Sequence, residues 1–138
     1  MKGIADLLGR IFLSTIFFFE VLDTIFFYST AKESMTNYGI TWMQDTLLIA
    51  VLLMMGIGAF LVVIGYFARV GSLLLLIVWI PFTFIVYSFW NDPPDMQREQ
   101  MLFFMRNLAL IGGLLLLLAN GSAEYSVRRL IHVMRLPK

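Results

Sequence analysis

IFLSTIFFFEVLDTIFFY, residues 11–28, is an apolar run long enough to cross the hydrocarbon core of a lipid bilayer. It carries two acids, Glu20 and Asp23. A carboxylate inside a membrane helix loses its solvation, which is costly unless a nearby group compensates for it. The stretch therefore predicts a transmembrane helix, and the partners of its two acids become the main question about the chain.

The composition of the whole chain indicates a membrane protein. Of its 138 residues, 60% are hydrophobic and 14% are charged, whereas a soluble domain has about 25% charged residues. This much apolar surface does not fit into one small core, so lipid must be the solvent. The chain has no cysteine and a single histidine, His132, which argues against disulfides, metal sites and haem ligation. The net charge of +1 gives no indication of nucleic-acid binding.

Four apolar segments match the thickness of a bilayer, at about 20 residues each. They lie at about 9–28, 46–67, 71–90 and 101–119. Helices satisfy every backbone polar group of an open chain in lipid. We therefore predict one all-α integral membrane domain over 1–138, a four-transmembrane-helix bundle.

Basic residues concentrate at one end of this predicted bundle. They precede helix 1, link helices 2 and 3, and follow helix 4: Lys2, Arg10, Arg69, Arg128, Arg129, Arg135 and Lys138. The positive-inside rule then places both termini in the cytoplasm.

Two further helices are expected outside the spans. Thr30 and Glu33 form a capping-box pattern, and Gly39 is placed to end a short helix in the outer loop. The tail 122–138 has apolar residues at helical spacing between arginines, which predicts an amphipathic helix on the inner leaflet.

Two prolines mark positions in the last two spans. Pro81 lies in the middle of helix 3 and is expected to kink or weaken it. Trp79, one turn earlier, is too deep for an interfacial residue, so we expect it to be buried against a neighbour or a partner chain. Pro93 follows a plausible N-cap, Asp92, so helix 4 is expected to start near it, outside the membrane.

A polar cluster is expected around the two acids of helix 1, which lie three residues apart and share one face. Arg106 and Asn107 reach a similar depth in helix 4, as does Tyr87 in helix 3. We predict an Asp23–Arg106 ion pair. Glu20 is then expected to hydrogen-bond to Asn107, Tyr87 or water, or to be protonated.

Two interpretations of this cluster are open. In the first, which we favour, the paired charges fix the register of the helices. In the second, the cluster lines a small polar cavity that binds a ligand headgroup, such as a quinone, or passes protons.

Several short motifs follow one another along the chain. They are Arg10-Ile11-Phe12-Leu13, Ile64-Gly65, Ala68-Arg69, Phe89-Trp90, Pro93-Pro94, Arg106-Asn107-Leu108-Ala109 and Gly112-Gly113-Leu114-Leu115. Their order and spacing resemble the DoxX family of small four-helix membrane proteins over nearly the whole chain. The resemblance implies the same fold and an association with quinone-linked sulfur oxidation and membrane redox assemblies.

The polar interior of that family is not kept. Where family members usually have Gly-x-x-Lys in helix 1, this chain has Val21 and Thr24. Met55 stands in place of the family's helix 2 Glu, and Tyr87 in place of its helix 3 His. No activity that those residues carry is transferred to this chain.

These observations lead to one preferred function and two alternatives. We expect a non-catalytic accessory subunit of a larger bacterial inner-membrane complex, respiratory or redox, with lipid and other membrane subunits as partners. The first alternative is a quinone-binding subunit of a membrane oxidoreductase, with Glu20 as proton acceptor. The second is a small transporter or proton path that uses Glu20 and Asp23. The expected cofactors are none, other than a quinone or a bound lipid.

Overall fold

A computed structural model describes residues 2–121 of the chain. The predicted amphipathic helix over 122–138 lies outside the described residues. The elements are α1 (Lys2–Phe26), α2 (Tyr28–Asn37), α3 (Gln44–Ile64), α4 (Ala68–Val86), a 3-10 turn (Phe89–Asn91) and α5 (Pro94–Asn120). The described part is thus all-helical, as predicted.

The helices are suited to a membrane. Three segments are long and apolar enough to span one: α3, α4 together with the 3-10 turn, and α5. A fourth candidate span is α1 together with α2, which are bent by 93° at the break between them. The chain is therefore a multi-pass helical membrane protein, in which α2 turns away from the bundle axis.

Several helix ends differ from the expected ones. α1 begins at Lys2 instead of residue 9. α5 begins at Pro94, in agreement with the start expected near Pro93, but its N-cap is Pro93 and not Asp92. Hydropathy marks only the part of a helix that lies in lipid, and these helices continue through polar residues. The capping box is wrong, because α2 begins at Tyr28 and Thr30 lies inside it. Gly39 does follow the end of α2, with a φ of +81°.

The long helices pack in the order α1, α3, α4, α5. α1 and α5 are the two edges of this arrangement, and across it Leu13 of α1 faces Gly113 of α5. α1 and α4 run in one direction, and α3 and α5 run in the other. We call the two ends of the bundle the N-terminal end and the α2 end.

The core lies on the axis of the bundle. It consists of Phe17, Met55, Ala59, Val62, Leu75, Leu76, Trp79, Ile111 and Leu114. The edge of the Phe17 ring packs on Trp79 with the centroids 4.9 Å apart. Trp79 is only 3% exposed, which confirms its predicted burial. α4 runs unbroken through Pro81.

The closest backbone approach joins α3 and α4. A Cβ added to Gly71 would lie 2.6 Å from the carbonyl oxygen of Gly58. Small residues at such contacts let membrane helices approach closely and gain van der Waals packing.

Candidate functional site

The polar cluster predicted from the sequence lies at the α2 end of the bundle, between the edges formed by α1 and α5. Glu20 is half-buried there. Its carboxylate interacts electrostatically with Asp23 and with Arg106 of α5. Tyr87, just past the end of α4, interacts in the same way with Glu20 and Arg106. The structure therefore brings together four of the five predicted residues.

Aromatic rings connect the cationic side of this cluster to its phenol. The Arg106 guanidinium lies over the ring of Phe103, 4.5 Å from its centroid. The Phe103 ring in turn packs against Tyr87 at 5.7 Å. This cation–π contact directs the guanidinium towards Phe103, which lies one turn closer to the α2 end on the same helix.

The predicted Asp23–Arg106 ion pair is wrong. Asp23 and Arg106 are both exposed, and in the part of the chain that the structure describes the ion pairs are Arg10–Asp6 and Lys32–Asp45. Similar depth in the membrane does not fix the direction in which a side chain leaves its helix. Glu20 is half-buried and Asp23, three residues further along α1, is exposed, so Asp23 points further away from the bundle than Glu20 does.

Asn107, the fifth predicted residue, is buried on the inner side of α5. Within residues 2–121, it makes no hydrogen bond to Glu20. Both interpretations of the cluster, as a ligand site and as a structural contact, stay predictions.

The segment after α2 covers this end of the bundle. The Tyr38 hydroxyl donates a hydrogen bond of 3.2 Å to the carbonyl oxygen of Val86, at the end of α4. Because Val86 precedes Tyr87, this bond places the segment beside the polar cluster.

A second set of contacts ties α2 to the start of α3. Lys32 forms an ion pair of 2.9 Å with Asp45, and the Tyr28 hydroxyl donates a hydrogen bond of 2.9 Å to the same carboxylate. Desolvation and then this hydrogen bond raise the pKa of Tyr28, so the phenol keeps its proton at neutral pH. The contacts fix the angle of α2 against the bundle.

A buried arginine at the N-terminal end is the feature that the sequence analysis missed. Arg10 is 0% exposed, although it was expected to face the cytoplasm. Its Nε donates a hydrogen bond of 3.0 Å to Asp6, and its Nη1 donates to the carbonyl oxygens of Val62 and Val63 at 3.4 and 3.3 Å. These carbonyls belong to the last turn of α3, where helical carbonyls lack a partner and the helix dipole is negative. Arg10 therefore caps α3.

A glycine makes room for this cap. Gly65 ends α3 with a φ of +73°, a conformation that favours glycine. A Cβ at this position would collide with the guanidinium of Arg10 and lie 3.0 Å from its Cζ. The close approach of Arg10 therefore depends on the missing side chain.

The same arrangement recurs at the end of α5. Arg69, at the start of α4, donates a long hydrogen bond of 3.5 Å to the carbonyl oxygen of Ala119. Gly121 has a φ of +77°, and a Cβ there would lie 2.6 Å from the Arg69 Nε. Each of the two helices that run towards the N-terminal end thus finishes against an arginine from another helix.

The signal for Arg10 was present in the sequence. Asp6, Arg10 and Ser14 are spaced at i, i+4 and i+8, so they lie on one face of α1. That face is the one that Phe17 continues into the core.

In the described residues, no group of three or more His, Cys, Asp or Glu side chains is arranged to hold a metal ion.

Comparison with known proteins gives one family. The model of the SURF4 family matches residues 21–130, which is most of the chain. No curated protein and no solved structure matches. The matching family is SURF4 and not DoxX. The resemblance drawn from the motifs is therefore supported only at a coarser level, as membership of a family of small multi-pass membrane proteins.

Proposed function

The chain belongs to the SURF4 family of multi-pass membrane proteins, and we propose that it is a non-catalytic subunit that binds another integral membrane protein. The binding surface in this proposal is the α1/α5 face. It consists of Phe19, Asp23 and Phe26 on α1 and Leu102 and Arg106 on α5, all of them exposed.

The observation that carries the proposal is the exposure of two charged side chains on helices that cross the membrane. Asp23 lies three residues, or roughly 5 Å, from the end of α1. Arg106 lies twelve residues into α5, well past the polar first turns of that helix. The cost of a charge in lipid reaches about 3 kcal/mol at the centre of a membrane helix, and these two off-centre charges carry part of it. A partner helix that pairs with these charges would remove part of this cost.

The apolar part of the face supports the same conclusion. Phe19 and Phe26 lie four residues before and three residues after Asp23, so the three side chains share one face of α1. Large rings supply the van der Waals contact that drives helix association in lipid. The face thus combines a packing surface with two charges that fix the register of the partner.

The charge balance of the face indicates the chemistry of the partner. Two acids, Glu20 and Asp23, and one cation, Arg106, interact electrostatically in this cluster, so the acids are in excess. A partner helix with a basic or hydrogen-bond-donating side chain at the depth of Asp23 would balance this surplus of acid.

The setting of the proposal is a bacterial inner membrane with both termini in the cytoplasm. Lys2 and Arg69 at the N-terminal end, and the basic residues after residue 121, support this orientation through the positive-inside rule. The expectation of a respiratory or redox complex rested on the resemblance to DoxX, so the proposal does not extend to redox chemistry. A quinone or bound lipid at the polar cluster stays a prediction.

The experiment is native mass spectrometry after mild extraction of the tagged protein from its own membrane. We expect a second membrane protein in a fixed ratio to the chain. Asp23→Lys should release that protein, because it places a second positive charge against the basic side chain of the partner. The matched control is Glu33→Lys, which reverses an exposed acid on α2, outside the α1/α5 face.

Two results would overturn the proposal. One is recovery of the chain alone or only as a homo-oligomer. The other is a partner that stays bound to the Asp23→Lys variant, which would place its binding surface elsewhere.

A further inference from the structure

Four buried side-chain atoms, among them Gln100 Oε1 near the start of α5, have no hydrogen-bond partner within the described residues. Three of the four belong to residues that are themselves buried. They are Ser14 Oγ on α1 and Ser72 Oγ and Trp79 Nε1 on α4. All three residues are buried, and both serines are 0% exposed. Native proteins leave very few buried polar groups unpaired, because each has lost its hydration without a replacement.

These atoms lie at three successive heights along the bundle, and we call the region that they border the column. α1 and α4 run in the same direction, and the contact of Phe17 with Trp79 fixes their relative height. Ser14 precedes Phe17 by three residues and Ser72 precedes Trp79 by seven. At 1.5 Å per residue, Ser14 lies about 5 Å and Ser72 about 10 Å from the ring contact, towards the N-terminal end.

Neighbouring hydroxyls on the same two helices behave differently. Thr83 donates a hydrogen bond of 2.7 Å to the carbonyl oxygen of Trp79, one turn earlier on α4. Thr15 donates one of 2.8 Å to Ile11 on α1. A hydroxyl in a helix can therefore be satisfied by its own backbone, and Ser14 and Ser72 are not.

We propose that ordered water molecules occupy this column and hydrogen-bond to Ser72 Oγ, Ser14 Oγ and Trp79 Nε1. A water molecule hydrogen-bonded to any of these groups would lie about 2.8–2.9 Å from its oxygen or nitrogen atom. Buried water in proteins typically satisfies polar groups of this kind, at about one molecule per 27 residues.

The two ends of the column differ in polarity. At the α2 end it is closed by the rings of Phe17 and Trp79, which belong to the core. At the N-terminal end, Arg10 lies seven residues before Phe17 on α1, and Ser72 lies seven residues before Trp79 on α4. Since Phe17 and Trp79 are in contact, Arg10 and Ser72 lie at the same height. Asp6, the partner of Arg10, is 34% exposed. The side of Asp6 is therefore the one from which water exchanges with the column.

X-ray radiolytic labelling of the protein in nanodiscs tests this inference, because hydroxyl radicals form from bound water and oxidise the side chains beside it. Phe17 is compared with Phe104, a buried residue of the same type near the α2 end, away from the column. We expect Phe17 to be oxidised several-fold faster than Phe104, and to incorporate ¹⁸O after exchange into H₂¹⁸O.

The double variant Ser14→Ala, Ser72→Ala is expected to bring the oxidation rate of Phe17 down to that of Phe104. If this variant does not fold, Ser72→Ala alone should lower the rate at Phe17, and the comparison in the wild-type chain is decisive without any variant. Oxidation of Phe17 at or below the rate of Phe104 in the wild type, or a rate that both serine variants leave unchanged, would overturn the inference.

Discussion

Gly65→Ala tests the arginine cap at the end of α3. A φ near +73° costs an L-residue about 1–2 kcal/mol. The new methyl group would also occupy the position of the Arg10 guanidinium, whose Cζ lies 3.0 Å from the ideal Cβ. Arg10 would have to withdraw from Val62 and Val63. Hydrogen bonds to a charged group contribute about 1.5–3 kcal/mol, and these two, at 3.4 and 3.3 Å, lie at the low end.

We therefore expect Gly65→Ala to lower the free energy of unfolding by about 4–5 kcal/mol. The assay is reversible unfolding by SDS in mixed micelles, followed by tryptophan fluorescence. Gly56→Ala is the matched control, because Gly56 lies inside the same helix and a Cβ there meets nothing within 4 Å. The control should be neutral or stabilising by up to about 1 kcal/mol. Equal unfolding free energies for the two variants, within about 0.5 kcal/mol, would refute the role given to Arg10.

Three further predictions concern packing and surface charge. Gly71→Ala should prevent normal packing of α3 on α4, because its Cβ would lie 2.6 Å from the Gly58 carbonyl oxygen; the SDS midpoint should fall, and an unchanged midpoint would contradict the backbone contact. Phe17→Ala should cost about 3 kcal/mol, since it empties a fully buried site, and the fluorescence of Trp79 should shift as its edge-on neighbour is lost; a spectrum like that of the wild type would argue against the contact. Asp45→Asn should leave the unfolding midpoint unchanged in 0.5 M salt, because its ion pair with α2 is exposed and screened; a large fall would show that this pair holds the bundle together.

The helices could be predicted from the sequence because their signal is local. Runs of about 20 apolar residues identify the spans, and the depth of Trp79 in the third span predicts its burial. The first residues of α1 could not be assigned in this way. Lys2, Asp6 and Arg10 are helical but polar, and hydropathy shows where lipid begins, not where the helix does.

The polar contacts could be predicted only in part. Depth along each helix is readable from residue number, and it correctly groups Glu20, Tyr87 and Arg106. The direction of a side chain around the helix depends on which helices are neighbours. α1 packs closely on α3, so the end of α3 comes within reach of Arg10. Asp23 is exposed on α1 and forms no ion pair with Arg106 in the described residues.

Photo-crosslinking in the native membrane tests the proposed binding surface most directly. A photoreactive residue replaces Phe19 on the α1/α5 face, and in a parallel variant it replaces Leu53, an equally exposed position on α3. We predict a discrete adduct with one other membrane protein from position 19 and only lipid adducts from position 53. The position 19 adduct should be lost when Asp23→Lys is added. Lipid adducts alone at position 19, or a protein adduct only from position 53, would contradict the claim that the α1/α5 face binds a partner.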